Sequence, residues 1–163
     1  MNRKYSTQEF LSLVQWLRSE IPDIALTTDV MVGFPGETEE HFQNTLQTVE
    51  KAAFSRLHVF KYSARHGTPA AKYPHQVSPQ IKQQRSQRLI EVGEKLAARY
   101  GRQFLGQTVE VLFEETVGDK HITGLTEHYL RVKATGGDHL LGKILPVKIT
   151  ALADNVLAGE ITE

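Results

Sequence analysis

Apolar residues recur at helical spacing in three places along the chain and at strand spacing over much of the rest. Phe10, Leu13, Val14 and Leu17 form the first stripe. Ahead of it, Ser6-Thr-Gln-Glu9 has the Ser-x-x-Glu form, in which each side chain accepts from the other residue's backbone N–H. The spacing predicts a helix over 6–20, ended by Pro22. Ile24 to Val32 is mostly apolar and β-branched, broken only by Thr27, Thr28 and Asp29, and reads as a strand buried on both faces, as in a parallel sheet. Thr38 then caps an acidic first turn, Glu39-Glu40, and Phe42, Leu46 and Val49 make a second helical stripe. Leu57 to Tyr62 is the next short strand. Helix, strand, helix, strand is half of an α/β repeat, belonging to an open doubly wound sheet or to part of a barrel.

From Ser63 through Pro79 the chain is rich in Pro, Gly and short polar residues and reads as a loop. Ser78-Pro79 opens a third helix, whose stripe of Ile81, Leu89, Val92, Leu96 and Tyr100 runs to Gly101. Beyond it the pattern turns β: Thr108 to Glu114, His121 to Thr126, Tyr129 to Ala134, Ile144 to Leu152 and Val156 to Thr162, with turn signals between them. Five short strands are the size of a small barrel. The fold class expected is α/β followed by all-β.

Composition narrows the chemistry. The 163 residues carry 19 basic and 19 acidic side chains, and no apolar stretch approaches the ~20 residues of a membrane helix. The N-terminus lacks the apolar core of a signal peptide. There is no cysteine, which agrees with a reducing, cytoplasmic location and means that these residues offer no thiolate nucleophile or iron–sulfur ligand. The seven histidines are scattered without metal-ligand spacing, so no metal site is expected.

Gly33-Phe-Pro-Gly36-Glu37-Thr38 joins a strand end to a helix N-terminus, the place where α/β sheets and barrels bind ligands. It is neither a Walker loop nor a dinucleotide fingerprint. Two readings stand: an architectural tight turn, or a backbone that approaches a ligand closely. Asp29, inside the apolar strand, either has a partner in a polar site or faces water at the strand end. In the tail, Tyr129, Arg131 and Lys133 alternate and are expected on one strand face, with Lys143 and Lys148 on or near the next strand. Cations beside an aromatic suit nucleic acid. Residues 102–163 hold six basic and nine acidic residues, however, so a solvated face is the other reading.

Several stretches together carry a resemblance: Met1-Asn-Arg-Lys-Tyr5, Thr28-Asp-Val-Met-Val-Gly-Phe-Pro-Gly-Glu-Thr38, Leu57-His-Val-Phe-Lys-Tyr-Ser63 with Arg65-x-Gly-Thr68-Pro-Ala, and Gly142-Lys-Ile-Leu-Pro-Val-Lys148. In this order they resemble the C-terminal part of the radical S-adenosylmethionine (SAM) tRNA methylthiotransferases, the MiaB-like family, with wording closest to the branch acting on threonylcarbamoyladenosine. The resemblance implies the later part of a (β/α) partial barrel over 1–76, a linking helix over 77–101 and an OB-like TRAM RNA-binding β-barrel over 102–163. It also implies that Val32, Gly33 and Phe34, with Gly36 and Glu37, lie beside the adenosine of SAM. Asp29 belongs to the same strand, the backbone of Phe60, Lys61 and Tyr62 meets the adenine, and Arg3 sits near the methionine end. Lys61 departs from the proline more usual in the family. Arg85 and Arg88, together with Lys82, would add to the tRNA grip of Tyr129, Arg131, Lys133, Lys143 and Lys148.

The family's two 4Fe-4S clusters need cysteines that are expected upstream, in a missing N-terminal part of the same polypeptide. The chain alone is therefore expected to be inactive. The full enzyme would methylthiolate C2 of a modified adenosine beside the tRNA anticodon, converting N6-threonylcarbamoyladenosine to its 2-methylthio form. A stand-alone RNA-binding module without catalysis, or an α/β domain holding a phosphate on its glycine turn, are the alternatives.

Overall fold

The computed structural model describes residues 4–118 and 120–162. It divides into two compact units, Met1–Leu96 and Ala97–Glu163, each described by itself.

In the first unit, α1 (Thr7–Glu20) begins at Ser6, whose Oγ accepts from the Glu9 N–H at 3.2 Å while Glu9 Oε2 accepts from the Ser6 N–H at 2.7 Å. This is the reciprocal cap legible in the sequence. β1 (Thr27–Val32), α2 (Glu39–Ala52) and β2 (Arg56–Lys61) follow. β1 and β2 pair in parallel, from Thr27 opposite Arg56 to Val32 opposite Lys61, which is the order a strand–helix–strand crossover produces. α2 ends at Ala53 in the left-handed region (φ 48°), where the Ala53 carbonyl accepts from the Arg18 guanidinium at 2.7 Å, tying α1 to the end of α2. The segment read as a loop contains a short 3₁₀ turn, Pro69–Lys72, and leads to α3 (Pro79–Arg102), which starts in this unit.

The core of the first unit gathers Val14 from α1, Val32 from β1, Phe42, Leu46, Val49 and Ala52 from α2, and Leu89 and Leu96 from α3. Val30, Leu57 and Val59 pack onto it. The expectation that the first strand is buried on both faces is not met. Thr27, Asp29 and Met31 of β1, and their cross-strand partners Arg56, His58 and Phe60 of β2, are all exposed. Helices cover one face only, so burial alternates with the period of two that a strand imposes.

The second unit closes a five-stranded barrel in the order β3 (Thr108–Val117), β4 (His121–Thr126), β5 (Arg131–Thr135), β7 (Val156–Ile161), β6 (Ile144–Ala153) and back to β3. All pairs are antiparallel except β5–β7, and the mixed closure is consistent with an OB-like barrel. Val111, Phe113, Ile122, Val132, Val147, Ile149 and Leu157 fill the interior. β3 runs three residues past the expected Glu114, because a bulge between Phe113 and Glu115 bends it and pairing then continues to Val117 opposite His121. β5 starts at Arg131 rather than Tyr129. Tyr129 has φ 58°, a left-handed turn conformation no strand accommodates. At Gly124 the β3 backbone passes so close that any Cβ would overlap the Leu112 carbonyl.

That contact makes a testable contrast. Gly124→Ala should cost about 3 kcal/mol or more in thermal or denaturant unfolding, because backbone must move. Gly118→Ala, in open space at φ 64°, should cost about 1 kcal/mol, the strain of a left-handed alanine.

Candidate functional site

At the C-terminal ends of β1 and β2 the chain turns sharply. Gly33 (φ 74°) leaves the buried end of β1, and Phe34-Pro-Gly36-Glu37 forms a tight turn closed by the Glu37 N–H donating to the Phe34 carbonyl at 2.9 Å. Proline at the second position and Gly36 at φ 83° in the third are what a type II turn requires. The Glu37 carboxylate folds back under the turn, and its Oε2 accepts from the Gly33 N–H at 2.9 Å. Gly36 donates to the His75 carbonyl at 2.9 Å, and Thr38 caps α2, its Oγ1 accepting from the His41 N–H at 3.2 Å. The Tyr62 N–H donates to the Val32 carbonyl at 2.8 Å, extending the pairing one step beyond β2. Phe34 meets the rings of Tyr62 and Tyr73 edge-on, with centroids 5.3 and 6.3 Å away.

The first turns of α3 grip this corner. Lys82 lays its aliphatic stem where a side chain on Gly33 would be, donates from Nζ to the Tyr62 carbonyl at 3.0 Å and stands 5.1 Å from the Tyr62 ring centroid. Arg85 donates from Nη1 to Glu37 Oε1 at 2.7 Å and to the Glu37 carbonyl at 3.1 Å, and reaches Glu39 from Nη2 at 3.4 Å. Arg88 pairs with Glu39 at 3.1 Å, and both guanidinium groups stand over Phe42. The Arg85 side chain is only 6% exposed and that of Glu37 14%, so this pair is shielded from solvent, whereas Arg88–Glu39 is a surface pair that solvent screens.

Arg85 is thereby corrected. Expected in an RNA grip, it lies buried with its charge directed at Glu37, unavailable to a phosphate. Arg88 remains half-exposed but is engaged by Glu39. Of the other residues expected around a cofactor, Gly33, Phe34, Gly36, Glu37 and Tyr62 are brought together at the corner, with the Val32 side chain turned into the core. Asp29 and Phe60 lie on the open sheet face, and Lys61 turns to the helix side, donating to Gln83 at 2.8 Å. Asp29 is exposed in the middle of β1 rather than at its end. Arg3 lies outside the described residues. Sequence reasoning missed Lys82 at the strand ends and the open-face residues Met31 and His58; the alternation of β1 and β2 was the available signal for the latter.

On the barrel, Arg131 and Lys133 share the outer face of β5, opposite buried Val132 and Ala134. Contrary to expectation, Tyr129 does not share that strand face. It is 78% exposed in the turn before β5, its N–H donating to the Thr126 carbonyl at 2.9 Å. Arg131 approaches Glu115 at 3.7 Å across the surface. Lys143 precedes β6 and Lys148 lies in it, both exposed; Lys148 is opposite Thr108 and Glu160. Lys133 and Lys148 thus stand on the two strands that flank β7. No group of side chains able to hold a metal ion, and no helix long and apolar enough to cross a membrane, occurs among the described residues.

Comparison with known proteins bears on both halves. Residues 1–49 match the radical SAM superfamily and residues 102–162 match the TRAM domain. The chain thus joins a radical SAM segment to a TRAM domain. It is 44% identical over 163 residues to a tRNA-2-methylthio-N(6)-dimethylallyladenosine synthase of Acetivibrio thermocellus, covering 99% of this chain and 34% of that protein. It is 40% identical over 153 residues to the threonylcarbamoyladenosine tRNA methylthiotransferase MtaB of Bacillus subtilis, covering 91% and 34%. A synthase of the first name from Ehrlichia chaffeensis is 41% identical over 165 residues, covering 98% and 37%. The chain spans about a third of the length of these curated relatives.

The corner has a pH signature. Hydrogen bonds first from Gln43 and then from Arg88 hold the Glu39 carboxyl below its ordinary value of 4.5. A depressed carboxylate stabilises the fold above its unfolded pKa, and that contribution is lost as pH falls through the folded one. Chemical unfolding from about pH 6 down to about pH 3 should therefore show a shallower acid loss in Glu39→Gln than in the parent chain.

Proposed function

We propose that this chain is the C-terminal share of a radical SAM enzyme that adds a methylthio group to C2 of an N6-substituted adenosine in tRNA, beside the anticodon. The observation that carries the reading is the union, in one chain about 40% identical to such enzymes along nearly its whole length, of a glycine turn at strand ends with a TRAM barrel. SAM, bound at an iron–sulfur cluster, would supply the chemistry of hydrogen abstraction. These residues include no cysteine and would not supply the cluster's thiolates. The chain's own part is to bind.

The corner suits the adenosine half of SAM on physical grounds. Gly36 carries no side chain and faces open space, half-buried Phe34 supplies ring surface, and β2 pairs only with β1 among the described residues, leaving backbone groups on its second edge. Met31 and Phe60 add apolar surface on the open face. On the barrel, Arg131, Lys133, Lys143 and Lys148 meet phosphates while exposed Tyr129 stacks on an unpaired base, the mode suited to a loop nucleotide. Relatives are named for threonylcarbamoyl and for dimethylallyl substituents. The proposal therefore rests on the shared 2-methylthiolation, with threonylcarbamoyladenosine, the reading of the sequence, as the form to try first.

Two measurements test it. Titrating the whole chain with anticodon stem-loops carrying either N6 substituent, at several salt concentrations, should give binding that weakens with salt; Arg131→Ala with Lys133→Ala should lower the log–log slope by about 2. Affinity indifferent to salt and to both substitutions refutes the RNA role. Titration with S-adenosylhomocysteine should show binding that Gly36→Val abolishes, because valine cannot adopt φ 83° without strain. Equal binding by a folded Gly36→Val chain leaves the turn only architectural.

A further inference from the structure

We propose that Arg85, acting with Lys82 one helical turn before it, is a positioning residue that sets the conformation of the glycine turn for its ligand. The proposal rests on the reading of that turn as the cofactor's adenosine wall. A turn with two glycines, free to reach many conformations, has only its closing bond from the Glu37 N–H to the Phe34 carbonyl of its own to hold its backbone in place. Here the Glu37 carboxylate does so by dividing its oxygens: Oε2 receives the Gly33 N–H at 2.9 Å and Oε1 receives Arg85 at 2.7 Å. Arg85 also donates to the Glu37 carbonyl at 3.1 Å, gripping main chain and side chain of one residue with one planar group. Glu37 can orient Gly33 only while Arg85 orients Glu37.

Lys82 completes the grip from the same helix face, three residues away. Its stem fills the space above Gly33, and its ammonium holds the Tyr62 carbonyl at 3.0 Å, so one side chain fixes the ends of both strands. Burial gives Arg85 its leverage, since a shielded charge pair tolerates the loss of one partner poorly. Its Nε is buried without a hydrogen-bond partner, so the group is placed for the contacts of its two terminal nitrogens rather than for full satisfaction of its own donors. This corner is built around Glu37.

The test separates positioning from general stability. Arg85→Met leaves Glu37 charged and unpaired, so it is accompanied by Arg85→Met/Glu37→Gln, which removes both charges, and by Arg85→Lys, which keeps a cation but cannot span Glu37 and Glu39. Each chain is read by thermal melting, by hydrogen exchange of the Gly33 amide and by titration with S-adenosylhomocysteine and with tRNA. In the folded double variant the Gly33 amide should exchange roughly tenfold faster, and affinity for S-adenosylhomocysteine should fall roughly tenfold, while tRNA affinity holds. Arg85→Lys should recover part of both losses. Gly33 exchange equal to the parent's in a folded double variant overturns the proposal, as does faster exchange with no loss of affinity. A parent chain that does not bind S-adenosylhomocysteine overturns the cofactor reading and this assignment with it, and is told apart because Gly33 exchange still responds to Arg85.

Discussion

The carboxylate of Glu37 is the constraint on which the candidate site turns. Glycine backbone loses more conformational freedom on folding than any other, and the Gly33–Gly36 corner fixes two glycines at the mouth of a two-stranded sheet. A single acidic group, shared between a backbone N–H below and a buried guanidinium beside it, anchors that corner together with the Gly36–His75 hydrogen bond and the Lys82 stem over Gly33. Acidic groups at a helix N-terminus are favourable in any case, and Glu37 to Glu40 precede and open α2. The residues that shape the turn therefore also start the helix after it, and α3 binds both through Arg85 and Arg88.

A second constraint is the one-sided cover of the sheet. The helices bury Val30, Val32, Leu57 and Val59 and leave Asp29, Met31, His58 and Phe60 in the open on the other face. A face carrying an acid, an imidazole and two large apolar side chains is mixed in chemistry, unlike the uniformly polar outside of a sheet that only meets water. Met31 and Phe60 thus leave apolar surface in the open on that face. The barrel solves the edge problem within itself: every strand is paired on both sides, and its cations spread over β5, β6 and the segment before β6 instead of gathering in one patch.

Much of this was legible in the residues. The caps at Ser6 and Thr38, the Pro–Gly turn, the helix start at Pro79 and the strand segments all express rules that act over a few neighbours, and each appears within a residue or two of its expected place except one end of β1 and one of β3, each three residues off. Where the reading failed, a distant contact or a backbone dihedral intervened. Tyr129 looked like the start of an alternating strand, yet its left-handed φ belongs to the turn that redirects the chain into β5. Arg85 looked like one cation of a basic helix face, yet its partner stands 48 residues earlier. Asp29 looked like a charge inside a buried strand, yet one face of that strand is uncovered.

The sequence by itself determined the elements, their order, the α/β-then-β division and, through several stretches in register, the family. These depend on local propensity, capping and period, which neighbouring residues specify. Only the tertiary structure decided which cation is buried, which strand face is open and what holds the glycine turn. Burial and partnership depend on which surfaces meet after the chain has folded, and two segments far apart in sequence carry no local mark of each other.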